Sequence, residues 1–79
     1  MLKLVFLGRL EDAAGAPERE VEPAETFDDL LAGLEPELAT ALRDVRIRLA
    51  LDGTLVGDPA SLALQDGQEL AFLPPVSGG

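Results

Sequence analysis

Segments with the residue types of β-strands lie at both ends of this 79-residue chain, and a segment with helical spacing lies between them. Residues 2–7 are a short apolar run, and residues 68–73 form another strand-type segment that follows an Asp66-Gly67 turn. Between them, apolar residues recur at helical spacing after Thr26, which is placed to cap a helix. The chain has no cysteine and therefore no disulfide. A chain this short buries only about 60% of its unfolded surface, so sheet and helix have to share one core.

Three further strands are predicted, at residues 19–22, 46–51 and 54–56. The dipeptide Asp52-Gly53 is typical of a two-residue hairpin and joins the last two of them. Gly33 is expected to weaken the helix, which restarts at Pro36. Residues 11–17 and 57–65 are predicted to be loops.

The resulting order, β-β-α-β-β-β, indicates an α+β fold in which a mixed sheet packs on one main helix. In the β-grasp version of this architecture the last strand lies parallel beside the first, at the centre of the sheet. An α+β sandwich with another strand order fits the same pattern equally well. We expect residues 1–73 to form the domain and residues 74–79 to form an extended, flexible C-terminal tail.

The predicted tail begins with two prolines and ends with two glycines. Because proline cannot donate to a sheet ladder, Pro74 and Pro75 are expected to end the last strand and to stiffen the tail. Gly78 and Gly79 have no Cβ and can enter a channel too narrow for other dipeptides. Six extended residues reach roughly 20 Å, so we expect the tail to carry a free Gly79 carboxylate well away from the domain.

Composition restricts the classes of partner. A net charge of −9 argues against nucleic acid and against anionic membranes, and it favours a basic or mixed protein partner. With neither histidine nor cysteine, the chain lacks the commonest metal ligands and the usual general base. The first residues lack the layout of a signal peptide and no apolar run is long enough to span a membrane, so a cytoplasmic location is expected.

Strand alternation predicts a second functional surface beside the tail. If Leu4, Phe6, Leu70 and Phe72 face the helix, the residues that face outward are Val5, Leu7, Ala71 and Leu73. One helix cannot cover both faces of the sheet, so these outward residues, with Leu55, are expected to form an exposed apolar patch that binds a partner. A sheet buried on both faces is the alternative.

The charged residues are interpreted as solvated surface. The carboxylates of the loops and helix starts have no second type of metal ligand beside them. Arg46 and Arg48 are assigned to the solvent side of a strand, and Arg43 to a helix C-terminus, where a cation is favourable. Phosphate binding by these three arginines is the alternative.

From the first strand to Gly79 the chain resembles the small subunit of molybdopterin synthase, the MoaD-type branch of the ubiquitin-like sulfur carriers. The resemblance is carried by the stretch 66–79, which has an acidic-Gly turn, a hydrophobic strand, two prolines, a small linker and the terminal diglycine. A weaker match covers residues 51–56, where family members often have asparagine at the position of Asp52.

The resemblance implies a β-grasp carrier that is not an enzyme alone and binds no cofactor itself. An E1-like enzyme would use ATP to adenylate Gly79, next to Gly78, and sulfur from a donor protein would convert it to a thiocarboxylate. The large subunit of molybdopterin synthase would then receive the sulfur, in a heterotetramer. The residues expected to contact partners are Leu7, Leu55, Leu73, Pro74, Pro75, Val76 and Ser77.

Three alternatives share the same tail. Related carriers serve thiamine synthesis, tRNA thiolation or cysteine synthesis. A ubiquitin-like protein modifier would be joined through Gly79 to lysines of other proteins, although Lys3, the only lysine here, leaves little scope for chains built on itself. The third alternative is an interaction domain with an inert tail.

Overall fold

The computed structural model describes residues 1–75, which form one five-stranded mixed sheet with helices on one face. The strands are β1 (Leu2–Phe6), β2 (Glu18–Val21), β3 (Arg48–Leu51), β4 (Thr54–Val56) and β5 (Glu69–Leu73). Their order is β2-β1-β5-β3-β4. Strand β5 pairs parallel with β1 and antiparallel with β3, so the last strand lies at the centre. This is the predicted β-grasp topology, and the alternative strand order is excluded.

The helices are α1 (Leu10–Ala14), α2 (Phe27–Ala32) and α3 (Pro36–Leu42), and a single 3-10 turn covers Pro59–Ser61. Thr26 caps α2 as predicted, because its Oγ1 accepts a hydrogen bond from the Asp29 backbone N–H at 3.0 Å. The helical layer is divided where Gly33 was expected to weaken it, and α3 restarts with Pro36 in its first turn.

The predicted strand bounds of β1, β2 and β5 differ from the structure by one residue, and two predictions are wrong by more than that. Residues 11–17 were predicted to be a loop, but α1 covers most of them: Leu10 and Ala14, four residues apart, share its buried side, and Gly15 ends it in a left-handed conformation. The third strand begins at Arg48 rather than at Arg46, because the Asp44 carboxylate accepts the Arg46 backbone N–H at 2.9 Å and holds a turn there.

The core lies between the helices and the inner face of the sheet. Leu4, Phe6, Leu70 and Phe72 are buried there, as strand alternation predicted. The rings of Phe6 and Phe72 stack with their centroids 5.5 Å apart, and Phe27 at the start of α2 lies 6.3 Å from Phe72. Since no buried residue in 1–75 is polar or charged, this core is held by apolar packing.

The β3–β4 hairpin turns at Asp52 and Gly53, which both have positive φ values, 49° and 84°. The Asp52 side chain is also bonded to the central strand: Oδ1 accepts the Glu69 N–H at 3.0 Å, and the Asp52 N–H donates to the Glu69 carbonyl at 2.8 Å. This contact requires only an acceptor oxygen, which aspartate and asparagine both provide. Asp52 therefore preserves the turn and its cross-strand contact.

Within residues 1–75, none of the helices combines the length and the apolar character that are needed to cross a membrane.

Candidate functional site at the root of the tail

The root of the tail is fixed against the end of β1. The Leu7 N–H donates to the Phe72 carbonyl at 3.1 Å, which continues the parallel pairing beyond β1. Gly8 follows with φ +56°, and a Cβ placed on it would lie 3.0 Å from Cγ of Pro74. Glycine therefore allows both the turn and the close approach of the proline ring. Sequence analysis did not identify Gly8, whose only signal is a glycine directly after a strand-type segment.

The predicted tail residues fall in two groups. Pro74 and Pro75 follow β5 directly, lie outside any helix or strand and are half-buried. The other four predicted residues, Val76, Ser77, Gly78 and Gly79, lie outside the described residues.

The outer face of the sheet, opposite the helices, carries the three leucines predicted to bind a partner. Leu7 is 41% exposed, and by the β1–β5 register it lies beside the half-buried Leu73. Leu55 is 70% exposed, but it lies on β4, three strand spacings or about 14 Å from β1. The structure thus brings Leu7 and Leu73 together and places Leu55 at the other side of the face.

A continuous row of apolar residues joins these two sides. In register across the outer face lie Val5, Ala71, Ala50 and Leu55. The two alanines are short, so they form the floor of a shallow apolar trough, with Val5 and Leu55 at its sides. We call this surface, together with Leu7 and Leu73, the outer-face patch. Ala50 was not predicted as part of it.

Charged residues lie at the two ends of the outer-face patch. At the end remote from the tail, Lys3 is paired with Glu20 on β2 and with Glu69 on β5. Its Nζ lies 3.9 Å from the Glu18 carboxylate. At the tail end, Arg48 is exposed and directly opposite Leu73. The two ends therefore differ in sign, with acidic side chains at one and a cation at the other.

The titratable groups whose pKa values are shifted lie outside the outer-face patch. They belong to ion pairs that link a loop or the N-terminus to another part of the chain. Hydrogen bonds from Arg46 lower the pKa of Asp44 to about 2, and a hydrogen bond from Arg19 lowers the pKa of Glu35. A hydrogen bond to Asp66, 2.7 Å away, raises the pKa of the Met1 ammonium group. These shifts are those of surface ion pairs.

Among the concave surfaces away from the outer face is a cleft of about 420 Å³ between α2, α3 and the start of β3. Phe27, Val45 and Ile47 are among its lining residues. Its charged rim is paired, since Arg43 donates to Asp28 at 3.3 Å. Among residues 1–75, no three acidic, histidine or cysteine side chains are grouped closely enough to hold a metal ion.

Comparison with known proteins gives a consistent result over the whole chain. The model of the ThiS family matches residues 4–79. A curated relative, the molybdopterin synthase sulfur carrier subunit of Escherichia coli, is 32% identical over 83 aligned positions that cover all of both chains.

Solved structures share the fold. The small archaeal modifier protein 1 of Methanosarcina acetivorans superposes with a TM-score of 0.80 at 27% identity, covering 99% of this chain and 95% of the archaeal one. A chain of the complex between subunits 1 and 2 of the molybdopterin-converting factor from Helicobacter pylori superposes with a TM-score of 0.69 at 25% identity, covering 99% and 97%.

Proposed function

The chain belongs to the ThiS family, and from this membership we propose that it is the sulfur-carrying small subunit of a molybdopterin synthase. The full-length similarity to the E. coli sulfur carrier subunit supports this choice among the carriers. The observation that carries the proposal is the position of β5. The central strand of the sheet runs directly into Pro74 and Pro75, so the segment that ends in Gly78-Gly79 starts from the most firmly held strand.

The chemistry of the proposed carrier takes place at Gly79. A carboxylate is a poor electrophile, so an E1-like partner first uses ATP to convert it to an acyl adenylate. The terminal sulfur of a persulfide on the donor protein then attacks the acyl carbon and displaces AMP, and a thiol reductant cleaves the resulting acyl disulfide to release the thiocarboxylate. The residues at the tail root, Leu7, Gly8, Leu73 and Pro74, carry no titratable side chain. Acid–base catalysis is therefore left to the partners.

The outer-face patch is the proposed docking surface for the large subunit. It adjoins Pro74, so a partner that covers it also receives the tail. Two alanines at its floor allow a partner's larger apolar side chains to fill the trough, and this would bury Leu7 and Leu55. The proposed assembly is a heterotetramer, with ATP bound by the activating partner and not by this chain.

Intact mass after incubation with the E1-like enzyme of the same organism, ATP and a sulfur source tests the proposal. We expect a mass gain that corresponds to one oxygen replaced by sulfur, located at Gly79. Gly79→Ala should slow this reaction on the order of a hundredfold, because a misplaced reacting group in a narrow channel reacts poorly.

Gly57→Ala is the matched control for this substitution. Gly57 has no positive φ, and no atom lies within 4 Å of an added Cβ, so this variant should react like the wild type. An unchanged mass of the wild type, with no AMP released, would rule out the sulfur carrier and leave an interaction domain.

A second candidate is a ubiquitin-like protein modifier, favoured by the likeness to the archaeal modifier protein. AMP release without a sulfur gain, together with covalent conjugates on lysines of other proteins, would support it. Self-conjugation would be limited to Lys3, which lies among the glutamates of the outer face.

A further inference from the structure

Among the described residues 1–75, Arg48 has no carboxylate partner, in contrast to the neighbouring Arg43 and Arg46. Arg43 pairs with Asp28 at 3.3 Å, and Arg46 pairs with Asp44 at 2.8 Å. Within residues 1–75, the exposed Arg48 guanidinium has neither a hydrogen bond nor an ion pair. Arg9 likewise has no such contact within residues 1–75, whereas Arg19 pairs with Glu35 at 2.8 Å, so two arginines stay unpaired there although the chain has 15 acidic residues.

The surroundings of Arg48 are apolar. It lies directly opposite Leu73 in the antiparallel β3–β5 pairing, and Leu7 follows in the next strand. A partner that covers Leu7 and Leu73 also removes water from the side of the Arg48 guanidinium that faces these leucines. A cation that is desolvated in this way requires an anion across the interface.

We propose that Arg48 is a specificity-determining residue of the docking surface and binds a carboxylate on the large subunit, at the rim of the site that receives the tail. This inference rests on the proposed function. The guanidinium fork can hold a carboxylate through two parallel hydrogen bonds, so the pair fixes the orientation of the body beside the tail. The acidic end of the same face, around Glu20 and Glu69, disfavours docking in the reversed orientation.

A phosphate of the nucleotide used in activation is a less suitable partner for Arg48. The adenylate forms at Gly79, six residues beyond Leu73, and six extended residues span roughly 20 Å. An arginine side chain that starts beside Leu73 is much shorter than this span. Arg48 therefore acts where the body docks, and not at the acyl group.

The test is the affinity of the carrier for the large subunit of the same organism, measured by calorimetry at low and high salt. We expect Arg48→Glu to weaken binding by about tenfold or more at low salt, because it replaces an attraction with a repulsion. Arg48→Lys keeps the charge but loses the fork, and it should weaken binding less. The wild-type affinity should fall as salt is added, and the Arg48→Glu affinity should fall much less.

Arg43→Glu makes the same change in net charge on the helix side and controls for general repulsion. It should bind like the wild type. Equal affinities of Arg48→Glu and the wild type would overturn the inference while leaving the proposed function intact. The inference would also be overturned if Arg48→Glu bound the large subunit normally but formed the thiocarboxylate more slowly. That result would place Arg48 in the activation step. A wild-type chain that neither binds the large subunit nor gains sulfur would overturn both.

Discussion

Gly8 determines how the tail begins, although it lies near the opposite end of the chain from the tail. Its φ of +56° and the 3.0 Å between a built Cβ and Pro74 Cγ impose two separate penalties on any side chain. We predict that Gly8→Ala lowers the free energy of unfolding by more than the roughly 1–2 kcal/mol that a left-handed backbone costs an L-residue. Urea unfolding of the purified variant measures this difference.

Gly67→Ala is the control that separates the cost of the positive φ from the cost of the clash with Pro74. Gly67 also has a positive φ, +85°, but nothing lies within 4 Å of an added Cβ, so its substitution adds backbone strain without a clash. The excess destabilisation of Gly8→Ala over Gly67→Ala then measures the Pro74 contact. If the two variants are equally destabilised, the proline ring is not held against Gly8, and the tail root is looser than the structure indicates.

The connection between α3 and β3 provides an element whose stability should depend on pH. The Asp44 carboxylate accepts the Arg46 N–H at 2.9 Å and the guanidinium through Nε at 3.1 Å and Nη2 at 2.8 Å, and its pKa falls from 3.8 to about 2. Because the pKa is lower in the folded state, this contribution is complete above pH 3.8 and is lost as the pH falls through about 2. The wild-type melting temperature should therefore fall over this range more steeply than that of Asp44→Asn.

Thermal unfolding monitored by circular dichroism at several pH values gives the comparison, and Asp12→Asn is its control. Asp12 is exposed on α1 and makes no side-chain hydrogen bond or ion pair within residues 1–75. Removing its charge should therefore leave the decrease of the melting temperature at low pH unchanged. Parallel curves for the wild type and Asp44→Asn would show that the turn does not need the carboxylate in its ionised form.

At the scale of elements, the sequence predicted what depends on local chemistry or on strand alternation. The cap at Thr26, the turn at Asp52 and the inward side of β5 follow from a side chain, a dipeptide and a period of two. Helix α1 was missed because Gly15 and Pro17 indicated a loop, and the spacing of Leu10 and Ala14 was not considered.

The contact of Gly8 with Pro74 was beyond sequence reasoning for a different reason. It arises only after β1 and β5 pair in parallel, and no local pattern relates two residues so far apart in the chain. Ala50 was missed from the outer-face patch for the same reason, since its place between Ala71 and Leu55 depends on the register of three strands. Leu7 and Leu73 were found through alternation within single strands.

In the whole molecule, the two faces of the sheet have different roles. The helices cover the inner face and bury the apolar side chains that stabilise this 79-residue chain. No helix of residues 1–75 covers the outer face, which retains exposed apolar residues beside the tail root. A large exposed side chain contributes little to folding, so its truncation separates a role in binding from a role in stability.

Leu55 and Val45 make that separation possible, because both are exposed aliphatic residues on different sides of the molecule. Leu55 is 70% exposed at the side of the outer-face patch, whereas Val45 is 96% exposed at the cleft beside α2 and α3. Leu55→Ser and Val45→Ser should each change the free energy of unfolding by no more than about 0.5 kcal/mol. Only Leu55→Ser should weaken binding of the large subunit, by more than about 1 kcal/mol in calorimetry, because it removes an apolar contact from the docking surface. The reverse result, a loss of affinity for Val45→Ser alone, would move the docking surface from the outer face to the helix side.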